Sequence, residues 1–304
     1  MSHKLVVGIP TYNRQDKCCL LLQEIGSING IFDLIEIVVV DNSTVDIDKL
    51  SGMISKLDFS ENITYIHNGE DKGLDWSILS LIDIAKNKST KLWFLCDDDT
   101  LNLSELMGFV KFVLASKSAV NVCRFDFQDD NLSATSATRV ELSNFGGKTD
   151  YMRASFLPTL AIDATLVNTV TLRPLCGTNY IHLAVLNSLI ASYRELNVYF
   201  PVVGVQSANP ILTFSLRNTF LKGYVRCLYW QSVMPHSDIK SEARDRCKGY
   251  IGVMIKGAFG AHRATISPLE ILRSGVDIFK TLGLLNFLIL LPRLIALLFI
   301  GVLR

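Results

Sequence analysis

A chain of 304 residues with a net charge of +1 has length for a large α/β domain and no basic field, so no nucleic-acid partner is expected. The hydrophobic fraction of 49% and the mean hydropathy of +0.31 are high for a freely soluble protein and lead us to expect contact with a membrane. Seven scattered cysteines (Cys18, Cys19, Cys96, Cys123, Cys176, Cys227, Cys247) include no Cys-x-x-Cys pair, which argues against a zinc site and a disulfide framework and suits a reducing compartment.

The amino terminus, Met-Ser-His-Lys, enters an apolar strand too soon for a secretory signal, so a cytoplasmic location is expected. Lys4 to Ile9 reads as a strand stopped by Pro10, which cannot donate to a ladder. The loop Pro10-Thr11-Tyr12-Asn13-Arg14 leads into a helix near Asp16 to Ile28, with apolar residues at an approximate 3.6 period. A second strand, Glu36 to Val40, ends in Asp41-Asn42-Ser43 and is followed by a helix over about Asp46 to Leu57. The third, Ile63 to Ile66, ends in a polar run from His67 to Gly73 before a helix over Leu74 to Lys86. The fourth, Leu92 to Cys96, ends in Asp97-Asp98-Asp99, with a helix over about Leu103 to Ala115.

This alternation predicts a mainly parallel sheet covered on both faces by helices. The polar motifs all fall at carboxyl ends of strands, where ligands bind in open α/β sheets. Three adjacent carboxylates repel one another unless solvent, a cation or nearby positive groups take up the charge. If strand geometry continues, Asp97 and Asp99 face one side and Asp98 the other. Two carboxylates on one side suit Mg²⁺ or Mn²⁺, with phosphate oxygens completing the shell. The plain alternative is a solvated acidic turn capping the strand.

Further on, Val120 to Phe127 reads as a strand, Asp129 to Arg139 as a polar loop and Leu160 to Leu166 as a strand. Thr178-Asn179-Tyr180-Ile181-His182 opens a helix running to about Tyr193, with Thr178 or Asn179 as its N-cap. Val198 to Val205 is the last expected strand, and helices are expected over Asn218 to Met234 and Ile239 to Gly257. Pro268 to Phe287 is amphipathic, and Leu284 to Leu303 is nearly all apolar but is interrupted by Pro292-Arg293. An arginine in mid-span costs about 2.5 to 3.5 kcal/mol, so an in-plane anchor or helical hairpin is expected rather than a clean span. Packing of this tail on the body or on a second copy is the alternative, which allows a homodimer. The expected organisation is residues 1–214 as the α/β domain, 215–267 as a helical extension and 268–304 as a membrane-associating tail.

At these loops the sequence resembles the family 2 glycosyltransferases. The resemblance covers about residues 4 to 190. It is carried by Ile9-Pro10-Thr11-Tyr12-Asn13-Arg14, Val39-Val40-Asp41-Asn42-Ser43, Asn68 with Gly73, and the run Trp93 to Asp99. Within the family, Gly73-x-Asp75-x-Ser77 followed by that run is similar to O-antigen and capsule enzymes of the abequosyltransferase type. The resemblance implies a GT-A nucleotide-sugar-binding fold and a hexosyl- or deoxyhexosyltransferase of polysaccharide or lipopolysaccharide synthesis. It also implies a nucleotide-sugar donor and a lipid-linked glycan acceptor at the inner face of the cell membrane, with the protein peripheral or monotopic there. Pro10, Thr11, Tyr12 and Arg14 would line the nucleotide pocket with Asn68, Gly73 and Asp75, and Asp41 would accept a hydrogen bond from the base. Tyr12 is equally readable as a core aromatic. Asp99, with Asp97, would hold Mg²⁺ or Mn²⁺. Asp97 or Asp98 would lie nearer the ribose and sugar, and Lys72 would add charge near the phosphates.

The departure from the family pattern is at the catalytic base. Relatives place a Glu-Asp pair where this chain reads Thr178-Asn179-Tyr180-Ile181-His182. His182, which titrates near neutrality, and Asp163 are the candidates for that role, with Asp98 a third catalytic candidate. Two rival readings remain. Trp93 to Leu101 also matches a haloacid-dehalogenase-type phosphatase motif with Asp97 as nucleophile, although that motif usually opens its domain. The altered base region also suits a non-catalytic membrane-bound scaffold of a glycan assembly complex.

Overall fold

The structure is a computed structural model, and it describes residues 4–88, 90–123, 138–141, 157–193, 195–199, 203–204, 223–230, 240–241, 243–245, 247–248, 251, 268–282 and 284–302. The chain divides into two compact units, Met1–Gly177 with Ile181–Ala208, and Thr178–Tyr180 with Asn209–Arg304.

The first unit opens with four parallel strands, β1 (Leu5–Thr11), β2 (Ile35–Asp41), β3 (Ile63–His67) and β4 (Lys91–Phe94). Between and after them run α1 (Gln15–Gly26), α2 (Lys49–Ile54), α3 (Leu74–Asn87) and α4 (Leu103–Ala115). The remaining strands are β5 (Thr100–Leu101), β6 (Val120–Cys123), β7 (Thr138–Glu141), β8 (Leu160–Asp163), β9 (Glu195–Tyr199) and β10 (Val203–Gly204). The further helices among the described residues of this unit are the short α5 (Thr169–Leu172) and the long α6 (Ile181–Tyr193).

The main sheet has the order β3-β2-β1-β4-β8-β6-β9-β7. It is mixed, not mainly parallel: β8 runs antiparallel to both β4 and β6, and β7 is antiparallel to β9. The expected parallel pattern holds for β3, β2, β1 and β4, whose connections are βα units.

Every residue of β1 is buried, as a strand covered on both faces requires. One face packs Leu5, Val7, Ile9, Ile37, Val39 and Trp93 against Leu21, Leu22 and Ile25 of α1 and Phe109 of α4. The Trp93 and Phe109 rings meet edge-on at 4.9 Å, and the indole N–H donates to the Pro158 carbonyl at 2.9 Å. On the other face α3 comes so close that a Cβ on Gly8 would lie 3.0 Å from Leu81, with Leu92 of the next strand at 2.9 Å.

Pro10 lies inside β1 instead of ending it. The Gly8 carbonyl turns toward β4, where it accepts from Leu95 N, and Pro10, two residues on, faces the same way. The last β1–β4 pair is Gly8 with Phe94, so the missing proline N–H leaves no ladder bond unmade. The strand expected over Leu160 to Leu166 stops at Asp163, whose carboxylate accepts from Thr165 N and Thr165 Oγ1 and starts a 3₁₀ turn over Ala164–Leu166. The single strand expected over Val198 to Val205 is two: β9 in the main sheet, and β10 paired antiparallel with β5. Thr138 and Arg139, expected in a loop, lie in β7. The continuation of β6 over 124–127, and most of the helices expected over 218–257, lie outside the described residues.

In the second unit, α7 (Val225–Tyr229) lies near the segment Thr178–Tyr180. Thr178 Oγ1 accepts from Tyr180 N and Cys227 Sγ, and the Tyr180 and Tyr224 rings meet edge-on at 5.2 Å. The tail is a pair of helices, α8 (Pro268–Leu282) and α9 (Leu284–Val302), packed on one another. Ile278, Leu282, Leu290 and Leu294 are buried, and Phe279 meets Phe287 at 6.0 Å. Val276, Leu285, Leu288 and Ile295 are exposed. Among the described residues no helix is long and apolar enough to cross a membrane.

Candidate active site

The loops after β1 and β2 are locked together. Asn13 takes a left-handed backbone conformation, φ 52°, which asparagine tolerates better than most residues. Its N–H donates to Ser43 Oγ at 2.8 Å, and its Oδ1 accepts from Thr44 N and Val45 N. Gln15 Nε2 adds a bond to the Val45 carbonyl at 2.8 Å.

Asp41, at the end of β2, is 0% exposed. Its Oδ1 accepts from Ser43 N at 2.7 Å and its Oδ2 from the Tyr65 hydroxyl at 2.9 Å. Burial first, and then the hydrogen bond to Asp41, raise the Tyr65 phenol far above its ordinary range, so it stays protonated. Asn42 holds the third loop: its Nδ2 donates to Ser77 Oγ at 2.8 Å and to the Gly73 carbonyl at 3.3 Å, and its Oδ1 accepts from Asn68 Nδ2 at 2.6 Å. Gly69 N donates to His67 Nδ1, so the His67 proton sits on Nε2 and is donated to the Ser43 carbonyl at 2.9 Å.

The acidic run departs from the expected alternation. β4 ends at Phe94, and a turn follows in which Asp99 N donates to the Cys96 carbonyl while Asp99 Oδ2 accepts from Cys96 N at 2.6 Å. Asp97 reaches back to the first loop, its Oδ2 accepting from Thr11 Oγ1 at 2.7 Å and its Oδ1 from Arg14 Nη1 at 3.0 Å. The same Arg14 Nη1 donates to Asp98 Oδ2 at 2.7 Å. Asp97 and Asp98 therefore share one guanidinium, and Asp99 turns apart to cap the backbone.

Burial raises the Asp97 pKa above the usual carboxylate range, against the lowering effects of Arg14 and Thr11. Asp99 is pushed up to about 7, chiefly by burial, with the Cys96 N–H opposing and Asp98 and Asp97 adding to the rise. Burial by itself lowers the Arg14 pKa, but Asp97 and Asp98 outweigh it and the guanidinium is held more firmly charged. Among the described residues no group of three His, Cys, Asp or Glu side chains stands ready to hold a metal ion. The donor set still fits a hard cation: Asp97 and Asp98 share one guanidinium, Asp99 lies next to them in the same turn, and a Mg²⁺-type ion needs only one or two carboxylates if phosphates complete its shell.

Of the other expected site residues, Tyr12 and Lys72 are exposed, which removes the core reading of Tyr12. Gly73 has φ 80° at the start of α3, and its N–H donates to Asp71 Oδ1 at 2.8 Å. Asp75 is buried, with its Oδ1 accepting from Ile181 N at 3.2 Å. A carboxylate from α3 thus reaches the first turn of α6, and Asn179, just before that turn, is left-handed at φ 61°. His182 is buried in that first turn, which Asp75 ties to the edge where α3 begins. Asp163 lies opposite Lys91 at the start of β4, on the far edge of the sheet from Asp97. It is occupied with Thr165, so its place as a base candidate is not kept. Asn42 and Ser77 entered the sequence reading only as members of motifs, without a role of their own, and Tyr65 was not singled out. Their signal is that they are polar residues placed where the apolar alternation of a strand or helix predicts burial.

An open α/β sheet with polar loops and an acidic turn gathered on its carboxyl edge is the GT-A arrangement of a nucleotide-sugar-dependent transferase. The chain matches Glycosyl transferase family 2 over residues 6–169 and belongs to that family, whose members are glycosyltransferases acting on nucleotide-sugar donors. The S. aureus protein TarS, residues 1–349, is similar in fold, with a TM-score of 0.61 at 13% identity over 98% of this chain and 90% of that one. The complex of TarS 1–349 with UDP-GlcNAc gives 0.63 at 14% identity over the same shares. The mannosyltransferase PcManGT from Pyrobaculum calidifontis, in complex with GDP-Man and Mn²⁺, gives 0.54 at 14% identity over 98% and 87%. No curated protein sequence matches the chain. The phosphatase alternative does not survive: the family match covers the acidic run, and Asp97 follows the fourth strand of its domain instead of opening it.

Proposed function

We propose that this glycosyltransferase moves a hexosyl or deoxyhexosyl group from a nucleotide sugar to a hydroxyl of a lipid-linked glycan. The setting would be O-antigen or capsule synthesis, as in the abequosyltransferase-type enzymes. The carrying observation is the Arg14 guanidinium held between Asp97 and Asp98 on the edge where the Asp41 and Asn68–Gly73 loops also end. Donor-bound structures of similar fold, TarS with UDP-GlcNAc and PcManGT with GDP-Man and Mn²⁺, support a nucleotide-sugar occupant.

In this reading Pro10, Thr11 and Tyr12 line the nucleotide pocket, and Asp41 sets its base end. Arg14 exchanges part of its bonding to Asp97 and Asp98 for the donor's diphosphate, a favourable swap of one anion for another. Asn42 holds Asn68 and Gly73 in place, and with them the loop bearing Lys72 and the first turn of α3 bearing Asp75. Asp99, with Asp97, would hold a Mg²⁺ or Mn²⁺ ion, which when bound neutralises charge on the leaving diphosphate. The bond from the anomeric carbon to the phosphate oxygen breaks, the acceptor hydroxyl oxygen forms the new one, and the hydroxyl proton passes to a base. His182 is the candidate base in the segment 178–182, where imidazole is the group that titrates near neutrality. The exposed apolar residues of α8 and α9 support attachment at the inner membrane face, without a span.

The test is a thermal-shift panel of the detergent-supported protein against UDP, GDP, CDP and dTDP, each with and without Mn²⁺. A ligand at about 100 times its Kd stabilises the fold by about 2.7 kcal/mol, enough to read as a melting shift. A Mn²⁺-dependent shift that disappears in Asp99→Ala is expected. No shift from any nucleotide in a folded sample turns the reading toward a scaffold.

A further inference from the structure

We infer that Asp75 is a positioning residue of the transferase: it holds the first turn of α6, and with it His182, against the edge where α3 begins, and it does not itself bind the donor. This rests on the proposed transferase reading, in which His182 is the candidate base.

The amino end of α6 is dry. Ile181 and His182 are 0% and 2% exposed, and the helix stays buried through Asn187. A helix leaves its first N–H groups without intrahelical partners, and at a buried end water does not take them. Asp75 Oδ1 accepts the first of them, from Ile181 N at 3.2 Å, across 106 residues of chain. The carboxylate is itself 1% exposed, so a ligand at the surface does not reach it. Asp75 also stands in the first turn of α3, and the positive ends of two helix dipoles thus share one carboxylate. Its charge is felt at Cys176 as well, where burial first and then Asp75 push the thiol up to about 11.

Asp75 is held in turn from the loop after β2. Asn42 Nδ2 donates to the Gly73 carbonyl at 3.3 Å and to Ser77 Oγ at 2.8 Å, two residues before and two residues after Asp75. Asn42 directly follows Asp41, and its Oδ1 accepts from Asn68 at 2.6 Å. The same buried side chain therefore fixes the third loop and both flanks of Asp75, and Asp75 passes that placement on to Ile181, the neighbour of His182. The chain enters α6 through two left-handed residues, Gly177 at φ 88° and Asn179 at φ 61°, so the start of the helix lies at a bend and depends on a bond from outside it. Without the acceptor on Asp75, the first turn keeps its sequence and loses its anchor. A reacting group misplaced by about 1 Å can cost about a hundredfold in rate with donor binding intact.

The full-length protein is titrated calorimetrically with UDP, GDP, CDP and dTDP in the presence of Mn²⁺, and the tightest binder fixes the nucleotide. Hexose and deoxyhexose derivatives of that nucleotide are then assayed by release of the nucleoside diphosphate, with a membrane glycolipid extract and with water as acceptors. In Asp75→Ala, kcat is expected to fall about tenfold to a hundredfold and amide hydrogen exchange over 181–185 to quicken about tenfold, while donor KM and nucleoside diphosphate Kd stay within about twofold. Asp75→Asn keeps an oxygen that accepts from Ile181 N but loses the charge, so its kcat is expected to fall only about two- to fivefold at unchanged Kd. A tenfold loss of nucleoside diphosphate affinity in Asp75→Asn would make the residue a donor ligand and overturn the assignment. An Asp75→Ala protein with unchanged kcat, or an Asp75→Asn protein as slow as a folded Asp75→Ala, overturns it too, and all three outcomes leave the transferase reading standing. Should Asp75→Ala not fold, Asp75→Asn decides by whether kcat falls at constant Kd. A folded, unaltered protein that binds no nucleotide, or releases none from any derivative, overturns the transferase reading and the role of Asp75 with it.

Discussion

Asp99 gives the site a measurable pH signature. Its carboxyl is pushed from an ordinary 3.8 up to about 7, chiefly by burial, with Asp98 and Asp97 adding their repulsion. For an acid whose folded pKa is raised, the stabilising contribution is complete below the unfolded value and is lost as pH rises through the folded value. The window therefore runs from about pH 4 to 7, and metal-free protein loses stability across it. A shift of about three units corresponds to on the order of 4 kcal/mol. Asp98 and Asp97 supply part of the rise, so that figure is an upper limit for the burial of Asp99 alone. At about 2 to 4 °C per kcal/mol for a domain of this size, the melting temperature changes by at most about 8 to 16 °C.

Asp99→Asn is the reference, because an amide oxygen can still accept from Cys96 N and does not titrate. Melting curves in chelator should nearly coincide for the two proteins near pH 4 and separate toward pH 8, where the variant is the more stable. Mn²⁺ favours the ionised carboxylate, so at pH 8 it should raise the melting temperature of the unaltered protein and leave the variant nearly unmoved. A gap between the two proteins that is constant with pH, or one that widens toward acid, refutes the burial argument.

Arg14→Ala removes the guanidinium shared by Asp97 and Asp98 and should weaken nucleoside diphosphate binding by about tenfold or more, measured by calorimetry with and without Mn²⁺. Gly26→Ala would set a Cβ 2.2 Å from the Phe59 ring, which is itself stacked on Phe32. Despite alanine's better helix propensity, a net loss of about 1 to 2 kcal/mol is expected in denaturant titration. Leu285→Glu with Leu288→Glu places charge on the exposed face of α9 and should reduce co-flotation of the full chain with anionic vesicles, while donor binding at the α/β unit is unchanged.

The first four strands and the helices α1 to α4 were readable to within a few residues because period-2 and period-3.6 patterns are local. The same rule misled at the acidic run. Alternation carried past Phe94 pairs Asp97 with Asp99, but Asp99 finds its partner in Cys96 N, three residues back, and Asp97 finds Thr11, 86 residues away. The sequence offered Thr178 or Asn179 as caps for α6 and gave no hint of Asp75, 106 residues from Ile181, which accepts from the first N–H of that helix. Asp163 was credible as a base while its strand had no direction, and the antiparallel pairing of β8 with β4 carries it to the opposite edge. The mixed half of the sheet escaped for the same reason, since nothing in a short apolar run tells whether its neighbour runs with it or against it. A sequence states how much charge an acidic turn must have neutralised, and three adjacent aspartates state it loudly. Which groups do the neutralising follows from strand order: β4 lies beside β1, so the loop carrying Thr11 and Arg14 is the one within reach, although three βα units separate them in the chain.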